Sequence, residues 1–358
     1  MYIKSLTLNN FRNYENEKIT FSSGINMLVG NNAQGKTNCA EAIFYLCTGY
    51  SPRAGRDKQV IKNGCEKAEI VGVAESLYGE VEVKIIFTSK KKEVFLNGVP
   101  LDKIGELMGN INSVFFNPQD LKLIQQSPED RRRFLDLAIS QMDKSYFYAL
   151  QRYRRILEQR NALLKHPDRE VIFETLSLWD KELATVALKI INKRQEFMQK
   201  LAPHAIDAHA FISGGEKLEL SLETPYYLGG GVEELIASYA EKTEKDLVLG
   251  YTTVGPHRDD IKIKVNGEDV RVYGSQGQQR TCALSLKLGE LETFKNAFNE
   301  YPVLILDDAL SELDKNRRNR LIDRLSGIQT IITTTEFISE FTPSNNLKIL
   351  TVNSGKIE

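Results

Sequence analysis

The sequence predicts an α/β fold of the phosphate-loop type, built from both ends of the chain, with a helical arm domain inserted between the two halves. Three observations predict it. Residues 30–37 read G-x-x-x-x-G-K-T without a mismatch, after the short apolar run 24–29 and before helical apolar spacing over 38–47. That strand, loop and helix context separates a phosphate loop from a chance match. Residues 302–308 form a second apolar run ending in two acids, Asp307 and Asp308, a Walker B pattern. Between them, from about residue 120 to about 240, the apolar spacing takes the helical period. The expected domains are therefore 1–120 (N-terminal half of the head), 121–245 (arm) and 246–358 (C-terminal half).

A chain of 358 residues admits two domains, or one domain carrying a large insertion. Its formal charge of −1 excludes a broad basic field, so any nucleic-acid contact must come from a local patch. Cys39, Cys47, Cys65 and Cys282 show no C-x-x-C spacing, which argues against a disulfide framework and against a zinc site. No leader-like apolar core follows Met1, and no run of about 18 apolar residues occurs. A soluble, cytoplasmic protein with no membrane partner is expected.

Along the N-terminal half, apolar residues alternate imperfectly at Ile3, Leu6, Leu8 and Phe11, as in a strand with one buried face. Arg12 and Asn13 leave that strand near the phosphate loop, where they either touch nucleotide or form a solvated turn. In the loop, Gly30, Asn31, Asn32, Ala33, Gln34 and Gly35 let successive N–H groups curl around a β-phosphate, and the following helix adds its positive end. Lys36 would reach the β- and γ-phosphates, and the Thr37 hydroxyl would hold a Mg²⁺ ion bridging them. ATP with Mg²⁺ is thus the expected cofactor. Residues 51–58 are irregular and basic. The β-rich runs 68–73, 81–87 and 94–96, with the Asn97-Gly98 turn signal, indicate an antiparallel sheet beside the nucleotide core. Lys90, Lys91 and Lys92 read as a solvated turn. Residues 113–116 read as a buried strand leading to Gln119, which could bond a metal-bound water or the metal itself.

Ser127-Pro128-Glu129-Asp130 is a complete helix start, and its helix carries Arg131, Arg132 and Arg133. A second helical run, 146–165, sets Arg152, Arg154, Arg155, Arg160 and Lys165 against one acid, Glu158; a third spans 171–201. Helices of roughly thirty residues would be about 45 Å long, an arm and not a long coiled coil. Their arginine stripe either meets a phosphate backbone or solvates a helix face. Ser213-Gly214-Gly215-Glu216 reads as a turn, and Leu228-Gly229-Gly230-Gly231 as a joint. Residues 261–265 and 270–273 read as two strands of a hairpin around Asn266-Gly267. Ser275-Gln276-Gly277-Gln278 opens a helix to about residue 298, and 330–335 is a final core strand.

In order, residues 10–14, 30–37, 131–136, 255–260, 275–280, 306–308 and 311–314 span almost the whole chain. Their motifs resemble those of ATP-binding-cassette (ABC) ATPases of the structural-maintenance-of-chromosomes (SMC) group and, more closely, the RecF family of bacterial recombination mediators. The resemblance implies an ABC-type head in which two chains sandwich two ATP molecules, Ser275, Gly277 and Gln278 of one facing the γ-phosphate held by the other. It implies an ATP-dependent homodimer that clamps duplex DNA or a duplex/single-strand junction at gaps. It further implies help in loading a recombinase filament, RecR and RecO as partners, and slow, DNA-stimulated hydrolysis as the release step. By the same resemblance Asp307 orients Mg²⁺ through a water and Gln119 is the Q-loop ligand. Asp308 stands where the catalytic Glu usually does, one methylene shorter, and with Lys36 these complete the expected catalytic set. Thr335 lies near the usual place of a switch histidine. The DNA-facing candidates are Arg53, Arg56, Arg131, Arg132, Arg152 and Arg155. The alternative is another SMC-like or ABC-type head, serving chromosome organisation or a transporter. The short insertion opposes the first of these and its arginines the second.

Overall fold

The computed structural model describes residues 1–358 except 225–229, 312, 339–340 and 342–345. Leu228, Gly229 and Glu312 therefore lie outside the described residues.

The N-terminal half opens with β1 (Tyr2–Asn9) and β2 (Asn16–Thr20), continues into β3 (Ile25–Val29), and passes through the phosphate loop into α1 (Lys36–Thr48). Next come β4 (Lys67–Ser76), β5 (Gly79–Thr88), β6 (Lys92–Leu96), β7 (Val99–Pro100) and β8 (Ser113–Phe116). Asn97 and Gly98 close β6 onto β7 with φ of 49° and 77°, the left-handed pair that a tight two-residue hairpin requires. Of the three successive lysines, Lys90 and Lys91 are exposed, whereas Lys92 turns inward to Asp57 (3.0 Å) and the Gly49 carbonyl (2.8 Å).

The arm comprises α2 (Lys122–Gln125), α3 (Pro128–Met142), α4 (Lys144–Leu163), α5 (Arg169–Ser213), β9 (Leu218–Glu223) and α6 (Gly231–Leu249). Helix α5 does not stop near residue 201: it runs for 45 residues, through Pro203, or about 68 Å at 1.5 Å per residue. The boundary expected at 245 falls inside α6.

The C-terminal half holds β10 (Asp260–Val265), β11 (Glu268–Asp269), α7 (Val270–Tyr273), α8 (Gln276–Phe298), β12 (Val303–Asp307), α9 (Lys315–Asp323), β13 (Thr330–Thr334), β14 (Lys348–Asn353) and β15 (Lys356–Ile357). Residues 270–273 are a helical turn and not the expected strand, because the Asp269 side chain accepts from the Arg271 N–H and caps it. The second neighbour of β10 is instead β9 of the arm, paired antiparallel from Asp260↔Glu223 to Val265↔Leu218. The arm is thereby stitched to chain beyond residue 245.

Two six-stranded sheets make the head: the antiparallel β2-β1-β4-β5-β6-β7, and β15-β14-β3-β13-β12-β8, in which only β15 is antiparallel. Alternation along the parallel strands divides the core. Leu28, Phe115, Ile305, Ile331 and Leu350 pack with α1 and the antiparallel sheet, whereas Met27, Val114, Leu306 and Ile332 pack with α8 and the arm. Helices α5 and α8 cross so closely that a Cβ at Gly289 would lie 2.8 Å from the Ala205 Cβ. Among the described residues no helix is long and apolar enough to cross a membrane.

Candidate functional site

Strands β3, β13 and β12 lie side by side and parallel, so the phosphate loop, Thr335 and the Asp307-Asp308 pair emerge together at the C-terminal ends of the strands. There the Thr37 hydroxyl donates to Asp307 Oδ1 at 2.8 Å, and the Thr333 hydroxyl donates to the same oxygen at 2.7 Å. Burial raises the pKa of Asp307, and the two hydroxyls oppose that rise. Asp308, the next residue, is exposed and takes a left-handed φ of 53°. Its N–H donates to Thr333 Oγ1 (3.0 Å) and its carboxylate accepts from the Ser311 hydroxyl (2.9 Å). A non-glycine residue in that region is held there by its surroundings.

The loop's glycines are needed for space and for backbone shape. A Cβ on Gly30 would lie 2.3 Å from the Val352 carbonyl oxygen, and Gly35 has φ of 122° beside the Asn13 amide. Behind the loop, Asn13 Nδ2 donates to the Gln34 carbonyl (2.8 Å), Tyr14 Oη donates to the Gly35 carbonyl (3.0 Å), and Gly355 N donates to the Gln34 carbonyl (2.9 Å). Lys36 Nζ folds onto the carbonyls of Gly30 (2.5 Å) and Asn31 (2.8 Å). Burial lowers its pKa, against the pull of Asp308 and Asp307. Among the described residues no cluster of three His, Cys, Asp or Glu could cage a metal. One hydroxyl and one carboxylate in contact are hard oxygens that fit a Mg²⁺ ion completed by phosphate and water.

Arg12 is paired with a buried carboxylate of α1. It forks onto Glu41 (2.9 and 2.7 Å) and also donates to the Gln59 carbonyl (2.9 Å), because the Glu41 side chain is wholly buried and requires a cation. Asn13 braces the loop from behind. Gln119 is exposed in the turn after β8, which Asn117 caps by accepting from the Gln119 N–H (2.7 Å). Thr335 is exposed at the end of β13.

Ser275 is exposed as the N-cap of α8: its hydroxyl accepts from Gln278 N (3.2 Å), and its own N–H donates to Gln278 Oε1 (2.9 Å). A Cβ on Gly277 would lie 2.6 Å from an Arg317 guanidinium nitrogen. The Ser213–Glu216 segment, read from the sequence only as a turn, supports this cap, since Gln278 Nε2 donates to Glu216 Oε1 at 2.8 Å. No local signal links two residues 62 positions apart.

The arginine candidates separate by their partners. Arg131 is not at the surface: it is 3% exposed and forks onto Asp260 (2.5 and 2.9 Å), which neutralises it. Arg160 of the same stripe is fully buried between Asp180 (2.6 Å) and Asp246 (2.8 Å). Arg152 is exposed and 3.7 Å from Glu182, Arg132 is half-buried and donates to the Asp259 carbonyl (2.8 Å), and Arg155 and Arg56 are exposed. Arg53 donates to Asn38 Oδ1 (3.2 Å) and its charge reaches Asp307, which puts it on the rim of the nucleotide site.

Residues 2–357 match the family model described as RecF/RecN/SMC N terminal domain. The chain is 44% identical over 346 residues to "DNA replication and repair protein RecF" of Ruminiclostridium cellulolyticum, covering 94% of this chain and 93% of that protein. It is 41% identical over 365 residues to the protein of the same name from Lachnoclostridium phytofermentans, covering 100% and 99%. The solved structure described as "Structure of the recombination mediator protein RecF-ATPrS in RecFOR pathway" superposes with a TM-score of 0.91 at 35% identity, covering 100% of this chain and 97% of that one. An Smc head bound to the C-winged helix domain of ScpA gives a TM-score of 0.60 at 19% identity, a likeness of fold alone.

Proposed function

Because the chain belongs to the RecF/RecN/SMC N-terminal-domain family and, within it, to the RecF branch, we propose that it is an ATP-dependent DNA-binding ATPase of replication and recombinational repair. Its ATP-bound form is a homodimer that clamps duplex DNA at gaps or junctions. The observation that carries this reading is the placement of Ser275, which is exposed at the positive end of α8 and shares no hydrogen bond with the chain's own phosphate loop. Such a group is positioned to serve a neighbour's nucleotide.

The loop N–H groups receive the triphosphate, and the Lys36 ammonium exchanges its two loop carbonyls for phosphate oxygens. Thr37, Asp307 through a water, and Gln119 would hold Mg²⁺, which would supply positive charge beside the phosphates. Asp308 orients the attacking water, and its short, serine-tethered carboxylate makes turnover slow. Ser275 and the Gly277 N–H of the second chain meet the γ-phosphate, so losing that phosphate removes contacts to both chains at once. ATP favours the dimer and hydrolysis releases it. DNA is gripped through phosphates without base readout; hydrolysis is stimulated by DNA, and RecR and RecO act with the clamp in loading recombinase on single strands.

Sedimentation velocity tests the switch. A dimer is expected with ATP, a monomer with ADP, and a monomer with ATP in Ser275→Arg. A wild-type chain that stays monomeric with saturating ATP overturns the reading.

A further inference from the structure

The arm's arginines fall into two classes by what faces them. Arg131, Arg160 and Arg194 are buried, and each meets carboxylates: Asp260, the pair Asp180 and Asp246, and the pair Asp136 and Asp259. Arg132, Arg133 and Arg154 have no carboxylate in ion-pair contact among the described residues, and Arg133 and Arg154 are exposed. These three converge on one cleft of about 350 Å³ between α3, α4, α5 and the Pro256-His257 turn. Of the two carboxylates on its wall, Asp136 is already held by Arg194 (2.8 Å) and the Tyr146 hydroxyl (2.6 Å), and Glu129 is the other; beyond the wall Asp260 acts on Arg132 and Asp120 on Arg133 at longer range. His257 adds no charge: both ring nitrogens are engaged, by Tyr153 Oη (2.6 Å) and the Thr252 carbonyl (2.9 Å), and burial holds its pKa down at about 4. Burial, and then the neighbouring Arg194 cation, lowers the pKa of Arg132. Asp260, Glu129 and Asp136 oppose that fall, yet the guanidinium groups on the wall outnumber its carboxylates, which leaves room for an anion.

We propose that this cleft binds phosphate, and that its occupant is a backbone phosphodiester of the duplex held by the closed dimer. The proposal rests on the DNA reading above and deepens it. A guanidinium offers two parallel N–H donors that match two phosphate oxygens, and forks from α3 and α4 approach from two sides. The contact fixes the register of the duplex and reads no bases. Neither Arg152 nor Arg155 lines the cleft.

The test is fluorescence anisotropy of labelled duplexes with the full chain and ATP, for wild type, Arg133→Ala/Arg154→Ala, and Arg155→Ala. The double variant is expected to bind about tenfold more weakly on two unrelated sequences, with a salt slope shallower by about one. Arg155→Ala should lose less than about threefold, and unchanged ATP turnover without DNA certifies the fold of each variant. A double variant that binds like wild type overturns the proposal and leaves the cleft to an acidic protein segment. Equal loss in Arg155→Ala also overturns it, because it marks a diffuse field and not a site. With inorganic phosphate alone no saturable thermal stabilisation is expected; one that the double variant abolishes would make this a free-anion site. A wild-type chain that binds no duplex would overturn the DNA reading itself, and the cleft's assignment with it.

Discussion

Glu290 on α8 is a buried carboxyl whose neighbours do not fully compensate it. Lys287 lies 3.5 Å from it and 3.8 Å from Asp120, in the turn after β8. Burial pushes the Glu290 carboxyl from 4.5 up to about 7, with Lys287 opposing. The folded chain therefore binds this proton more tightly than the unfolded chain. The stabilisation is complete below about pH 4.5 and is lost as pH rises through about 7, a swing of up to ~3 kcal/mol. Urea unfolding should show the wild-type midpoint falling between pH 5 and pH 8, and a smaller fall in Glu290→Gln. Some fall remains in the variant because burial also raises Asp120. At this scale the placement of the strand-end acids and the loop lysine was legible because their setting is local, a strand and the residues directly after it. The opposite fates of Arg131 and Arg132 were not. Which of two adjacent arginines is neutralised depends on Asp260, 129 residues away.

The end of α5 is where the arm meets the Ser275–Gln278 cap of α8. Gly214 closes the helix with φ of 86°, and Arg320 of α9 donates to the freed carbonyls of Phe211 (3.0 Å) and Ile212 (3.2 Å). Two residues on, Glu216 holds Gln278 and lies 3.6 Å from the fully buried His209. Losing one such hydrogen bond costs about 1 kcal/mol. Glu216→Ala should therefore weaken ATP-dependent dimerisation about fivefold and leave ATP binding to the monomer unchanged, whereas Glu216→Gln, which keeps the acceptor, should remain close to wild type. Sedimentation equilibrium in ATP measures both. The existence of the long helix was legible from its period, but its length was not. Proline in a helix interior costs about 3 kcal/mol, and here that cost is offset by burying Ala205, Ala208 and Ile212 in the core shared with α8. The β9–β10 pairing joins two stretches separated by α6, a relation that periodicity does not carry.

Across the whole molecule, Arg160 ties α4 to α5 through Asp180 and to α6 through Asp246, with no part of the Arg160 side chain exposed. Removing one partner of such a network strands the remaining charges in the interior, at about 3–5 kcal/mol. Arg160→Met should lower the unfolding free energy by that amount in urea titrations; a loss below about 1 kcal/mol would mean that water reaches the two aspartates. The two-ended head was legible because its motifs lie far apart in the chain and share one chemistry. Strand β3 is flanked by β13 on one side and β14 on the other, and the turn at Ser354-Gly355 presses on the phosphate loop through Gln34. During synthesis on the ribosome β3 emerges early and finds no neighbouring strand until residues beyond 330 have left the exit tunnel. A nascent chain therefore cannot complete the walls of its phosphate loop until β13, β14 and the Ser354-Gly355 turn have been made and have joined β3.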